Sequence, residues 1–264
     1  MSWWMMALSG WGVAAIVFTI LFLDELRRND ASAVDAGWSL TIGVLAIFFA
    51  VQAPGDIERR ILVGAMAAIW AFRLALFLFV NRVWKKPEDG RYVRMREWLG
   101  PRAHLGFFLF YQMQAFWTVL FAIPFMVVMS IERGGLGMLD YIGVAIWLIA
   151  VGGEALSDLQ LARFRGNPAN KGKTCRTGLW RYSRHPNYFF EWVHWFAYVV
   201  MAFGAPFGWL AWWGPALMLL FLFKLTGIPH TEKQALVSRG DDYRRYQEET
   251  SIFIPWFPKK VDAK

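Results

Sequence analysis

Seven apolar stretches, approximately 3–23, 37–53, 60–83, 105–130, 136–156, 189–207 and 209–228, alternate with loops that hold most of the charge. A run of about 20 apolar residues is the length that crosses a hydrocarbon layer roughly 30 Å thick as a helix, because only a helix satisfies its own backbone there. Hydrophobic residues make up 57% of the chain and tryptophan occurs sixteen times, too oily a composition for a soluble fold of this length. The expectation is an all-α, polytopic membrane helix bundle of about seven transmembrane helices. It forms a single integral membrane domain over 1–264, without repeats or a separate soluble part. The turn "APFGW" at 205–209 suits a tight reversal between the last two spans.

Basic residues test the threading. With seven spans, the loops 24–36, 84–104 and 157–188 and the tail 229–264 share one side and hold 22 Lys and Arg, against Arg59, Arg60 and Arg133 on the other. The positive-inside rule then predicts the N-terminus outside and the C-terminus in the cytoplasm, in an inner or plasma membrane if the source is bacterial. The net charge of +8 is accounted for by these topogenic residues and calls for no nucleic acid. The first stretch lacks a basic n-region and a small-residue cleavage site and is read as a retained helix. A single cysteine, Cys175, excludes a disulfide within the chain.

Polar groups stand where they are costly. Asp35 precedes the second span, Arg73 lies inside the third, and Tyr111, Gln112 and Gln114 open the fourth. Glu154 and Asp158 share a face of the fifth, with Arg165 two turns on; Asn187, Glu191 and His194 form a polar stripe in "RYSRHPNYFFEWVHW". Together with Tyr182, Arg184 and His185, these residues predict a polar cavity at the cytoplasmic boundary. The surrounding arginines and lysines suit a phosphorylated ligand. Neither a G-x-G-x-x-G nor a P-loop pattern is present, and no metal-ligand spacing is seen.

The run "TGLWRYSRHPNYFFEW" resembles the signature of the steroid 5α-reductase-like membrane family, in its bacterial form. So do "EALSDLQLARFR" (154–165), "FRLALFLFVNR" (72–82) and "TSIFIPWF" (250–257). The likeness is strongest over approximately 150–257. It implies an enzyme that reduces the Δ4 double bond of a 3-oxo steroid or related enone lipid with NADPH, needing no protein partner. By matching position, Arg73, Asn81, Arg82, Asp158, Arg165, Tyr182, Arg184, His185, Asn187, Glu191, His230 and Tyr243 would contact the cofactor. Arg91 and Tyr92 would close over its phosphates.

The chain departs from the family where the substrate carbonyl should be polarised. "DA" (35–36) stands where the animal enzymes place a Gln-Glu pair, and Trp70 where they place a tyrosine. Asp35, with Tyr111 as its partner, is the catalytic pair expected in their place. A second resemblance leads to another class: R-H-P-x-Y and the acid in "HTEKQAL" are similar to S-adenosylmethionine-dependent membrane methyltransferases of the isoprenylcysteine and phospholipid type. A lipid-binding protein without chemistry is the third alternative.

Overall fold

A computed structural model describes residues 3–225 and 227–259. Thr226, in the last expected span, and Lys260 and Lys264, in the basic tail, lie outside them. The described residues are helical with no strand: α1 (Trp3–Arg28), α2 (Ala33–Gln52), α3 (Ile57–Leu78), α4 (Gly90–Leu99), α5 (Ala103–Met129), α6 (Met138–Gly166), α7 (Pro186–Met201), α8 (Trp213–Leu220), α9 (Ile228–Arg239) and α10 (Asp241–Glu249). Short π-helical stretches follow α3 (Phe79–Val83) and α8 (Phe221–Leu225). Among the described residues, six helical segments are long and apolar enough to cross a membrane. α7, the sixth expected span, is helical but has only 16 residues, or about 24 Å at 1.5 Å per residue. It starts at Pro186 and stops at Met201, before the turn in which Gly204 and Phe207 take positive φ.

The contacts divide the chain into two compact units: residues 1–138 with 202–213, and residues 139–201 with 214–264. In the first, α1 turns Met6, Gly10, Ala14 and Phe18 inward at helical spacing while Trp4, Leu8, Trp11, Ile16 and Ile20 stay exposed. An apolar outer face opposite a packed stripe is what a bilayer solvent demands. Small residues set the close approaches, because a Cβ on Gly43 would sit 2.6 Å from the Phe72 ring and one on Gly64 2.9 Å from Ala50. Ser39 Oγ donates to the Ala71 carbonyl at 2.7 Å, pinning α2 to α3.

At the far end of this unit, Arg59 and Arg60 serve the backbone. Arg60 donates to the last carbonyls of α2, at Ala50 (2.7 Å) and Val51 (2.8 Å), which have no helical partner of their own. Arg59, 1% exposed, donates to Asp56 and to the carbonyls of Ile131 and Gly135. Asp56 also accepts from the Arg133 amide at 2.9 Å.

In the second unit α6 and α7 pack antiparallel. Asp158 meets Asn187 through a 3.1 Å hydrogen bond, a Cβ on Gly153 would strike the Phe190 ring, and one on Gly143 would strike Met201. These three rungs place the residues between them in register. α6 runs ten residues beyond the expected span, so Asp158 and Arg165 are helical residues, not loop residues.

Candidate functional site

Each unit gathers polar groups in two places. In the first, Asp35 occupies the opening turn of α2, and the π-helical stretch after α3 delivers Arg82 to it. Asp35 Oδ2 accepts from Arg82 at 3.0 Å and from Arg91 at 2.6 Å, and Oδ1 accepts from the Tyr92 hydroxyl at 2.8 Å. Arg91 and Tyr92 begin α4, whose N-cap is Asp89; its carboxylate accepts from the Arg91 amide at 2.9 Å. Burial acts to raise the Asp89 carboxyl, but the hydrogen bonds and charge of Arg91 outweigh it and hold the group below the usual range. Asn81 turns its amide back to the Phe77 carbonyl at 2.8 Å, and Arg73 is half-buried within α3.

Tyr111 makes no hydrogen bond to Asp35, whose phenolic partner is Tyr92. Its side chain is fully buried. The rings of Phe18, Phe22 and Phe110 lie 6.3, 6.0 and 6.1 Å away, and its hydroxyl has no hydrogen-bond partner among the described residues. A further charge cluster was not singled out from the sequence. Glu25, 1% exposed near the end of α1, accepts from Arg96 at 2.7 Å, and Arg96 also reaches Glu88 at 2.9 Å. The signal was present as an acid on the buried face of an apolar helix, but its partner lies 71 residues away.

In the second unit, the helical rungs put Glu154 opposite Glu191, both buried. His194, one turn deeper and fully buried, has Nδ1 2.8 Å from the Glu191 carbonyl oxygen and 3.9 Å from its carboxylate. Glu154, Asp158, Asn187, Glu191 and His194, expected as polar faces of the two spans, thus lie along one helix seam. Arg165 is exposed on the last turn of α6.

The signature loop is anchored elsewhere. Glu232 on α9 accepts from Arg184 at 2.6 Å, Gln247 at 2.8 Å and Tyr243 at 3.3 Å, with His185 Nε2 at 3.2 Å. Burial first, and then the neighbouring Glu232 carboxylate, push the Tyr243 phenol well above its ordinary range. Arg184 also donates to the carbonyls of Gln247 and Thr250, and His185 stacks on Tyr188 with ring centroids 5.4 Å apart. The segment 250–257 is laid along this loop. The Arg184 amide donates to Ser251, Ser183 Oγ to Phe253, and the Trp256 amide to the carbonyl of Tyr182. His230 lies on α9 with Nε2 3.0 Å from Gln234. Among the described residues no group of three His, Cys, Asp or Glu is placed to hold a metal ion.

The fold and these centres define an integral membrane protein of the all-helical class with polar groups gathered at helix ends and seams. More particularly, the chain belongs to the DUF1295 family, described as proteins of unknown function, which matches residues 21–250. It is 24% identical over 272 residues to the uncharacterized protein C594.04c of Schizosaccharomyces pombe, covering 91% of this chain and 77% of that one. No solved structure matches it.

Proposed function

We propose that this chain is a membrane reductase of the steroid 5α-reductase type, saturating the Δ4 carbon-carbon double bond of a 3-oxo steroid or related enone lipid with NADPH. The observation that carries the reading is Tyr111, a fully buried phenol among aromatic rings whose hydroxyl has no partner among the described residues. Buried hydroxyls are nearly always paired. A buried donor among rings suits a ligand that is apolar except for one carbonyl oxygen. The sequence likeness over 150–257 supports the same chemistry.

The residues present also suit the cofactor. Asn187 and Asp158 offer an amide and a carboxylate side by side, groups that match a carboxamide and ribose hydroxyls. Arg165 is exposed and free to meet phosphate. NADPH, when bound, would supply the hydride taken up by the β-carbon, and the enolate so formed takes a proton from water at its α-carbon. Tyr111 donates to the carbonyl oxygen as negative charge grows there, where a preorganised donor acts most strongly. Asp35, both of whose oxygens already accept hydrogen bonds, positions Arg91 and Tyr92. The methyltransferase reading would need Glu232 to face a ligand; the four side chains gathered on that carboxylate favour the reductase.

The test is NADPH oxidation by the purified full chain in detergent with a Δ4-3-oxo steroid, followed by absorbance and product analysis. Tyr111→Phe is expected to lower kcat by about 10²–10³-fold, as for loss of one oxyanion donor, at unchanged melting temperature. Methyl transfer from S-adenosylmethionine without NADPH oxidation would overturn the reading.

A further inference from the structure

Within the second unit a pocket of about 160 Å³ opens where α6 ends. Arg165 comes from the last turn of α6, Lys171 and Lys173 from the loop beyond it, and Arg239 from the last turn of α9. Among the described residues no carboxylate lines it. Nor does any of the four cations enter an ion pair among the described residues. The ion pairs of this unit are made instead by Arg176, Arg184 and Arg244, and by His185 and His194 if protonated.

Helix ends explain half of this. A cation on a last turn complements the helix dipole, which accounts for Arg165 and Arg239. Lys171 caps the short 3-10 turn Pro168–Asn170, its amide donating to the Pro168 carbonyl at 3.1 Å, and Lys173 follows with its amide on the Asn170 carbonyl at 3.0 Å, across a turn in which Gly172 takes a φ of +78°. The turn brings two more cations to a pocket that already holds two. Four like charges around one small concavity repel one another, and a multiply charged anion placed between them relieves that repulsion. The volume is below the roughly 300–1,000 Å³ of a drug-sized ligand site, so it suits one small anionic group and not a whole dinucleotide.

We propose that this pocket binds a phosphate monoester, with the arginines forking onto its oxygens and the lysines acting as point charges. Two molecules present that chemistry here: the 2′-phosphate of a nucleotide cofactor and the headgroup of an anionic phospholipid such as phosphatidate. The nucleotide source rests on the reductase reading, whereas the phosphate site itself does not.

The experiment uses the full chain in detergent micelles and reads melting temperature and tryptophan fluorescence during titration. The probes are inorganic phosphate, 2′,5′-ADP, 5′-AMP, and phosphatidate against phosphatidylcholine in mixed micelles. Inorganic phosphate is expected to raise the melting temperature, less so at high salt. K171Q/K173Q and R239Q are expected to weaken phosphate binding at least tenfold while melting, without ligand, within a few degrees of the unaltered protein. Tighter binding of 2′,5′-ADP than 5′-AMP, with competition by NADPH, assigns the nucleotide. Phosphatidate binding that NADPH does not displace assigns the lipid. No response to any phosphate probe, or an undiminished response in both variants, would overturn the site. Phosphate binding lost in the variants of a protein that oxidises no NADPH would leave the site standing and remove the reductase reading.

Discussion

Asp35 in the first unit and Glu232 in the second collect nearly the same groups, a phenol and guanidinium nitrogens, yet their surroundings differ. Asp35 and Arg91 each keep 24% of their side-chain surface exposed and Arg82 keeps 43%, whereas Glu232 keeps 13% and Arg184 9%. Arg184 is also spent on two backbone carbonyls, while Arg82 makes no other side-chain hydrogen bond among the described residues. An ion pair with both partners enclosed ties elements together, because neither charge can return to water if the other is lost. One left partly exposed contributes little to folding and leaves its cations within reach of a ligand. The same letters, Arg with Tyr and an acid, are therefore a fastening in one place and a facing in the other.

The largest expected effect is on the fastening. Glu232→Ala strands the Arg184 guanidinium in a nearly closed environment, and the cost is expected to be about 3–5 kcal/mol of stability, read by thermal melting and by protease cutting of the 250–257 segment. Asp35→Asn is expected to cost under about 1 kcal/mol and to leave proteolysis unchanged. It is expected to slow enone reduction about 10²-fold through misplacement of Arg91 and Tyr92. Equal melting losses in the two variants would erase the distinction between the centres.

The smallest effect concerns acid. Hydrogen bonding from the Arg133 backbone, opposed by partial burial and aided by Gly135 and Arg59, lowers the Asp56 carboxyl to about 2. A depressed carboxyl contributes stability that is complete above its unfolded value, about 4, and is lost as pH falls through about 2. Melting temperature is expected to decline across that window, and Asp56→Asn to flatten the decline. Asp242, lowered by Thr174 against the opposing effect of burial, contributes a similar decline in the second unit that Asp56→Asn leaves in place.

The bundle was legible because a bilayer imposes one rule on every span, and the apolar runs over α1, α2, α3 and α5 obey it to within a few residues. α6 outran its expected end since the rule ceases at the boundary, where helix and loop are both allowed. α7 fell short since its polar stripe, Asn187, Glu191 and His194, is packed against α6 and does not need apolar length. The inward stripe of the seam was legible for the same reason, being local and periodic. What could not be read was pairing at distance. Asp35 finds Arg91 56 residues away, and Arg184 finds Glu232 48 residues away. No period links such partners. Arg184, His185 and Tyr243, grouped from the sequence with the ligand, are gathered around an acid that the sequence connected only with a different chemistry.

The segment 250–257 lies along the signature loop, which is made some seventy residues earlier in the chain. Translation at roughly 5–20 residues per second separates the two by several seconds. During that interval Ser183, Arg184 and Tyr182 have emerged without the backbone groups they will hold, so the loop is a late-closing seam in biosynthesis. Its conformation is set by the arrival of the strap, after the helices on either side of it have already been made.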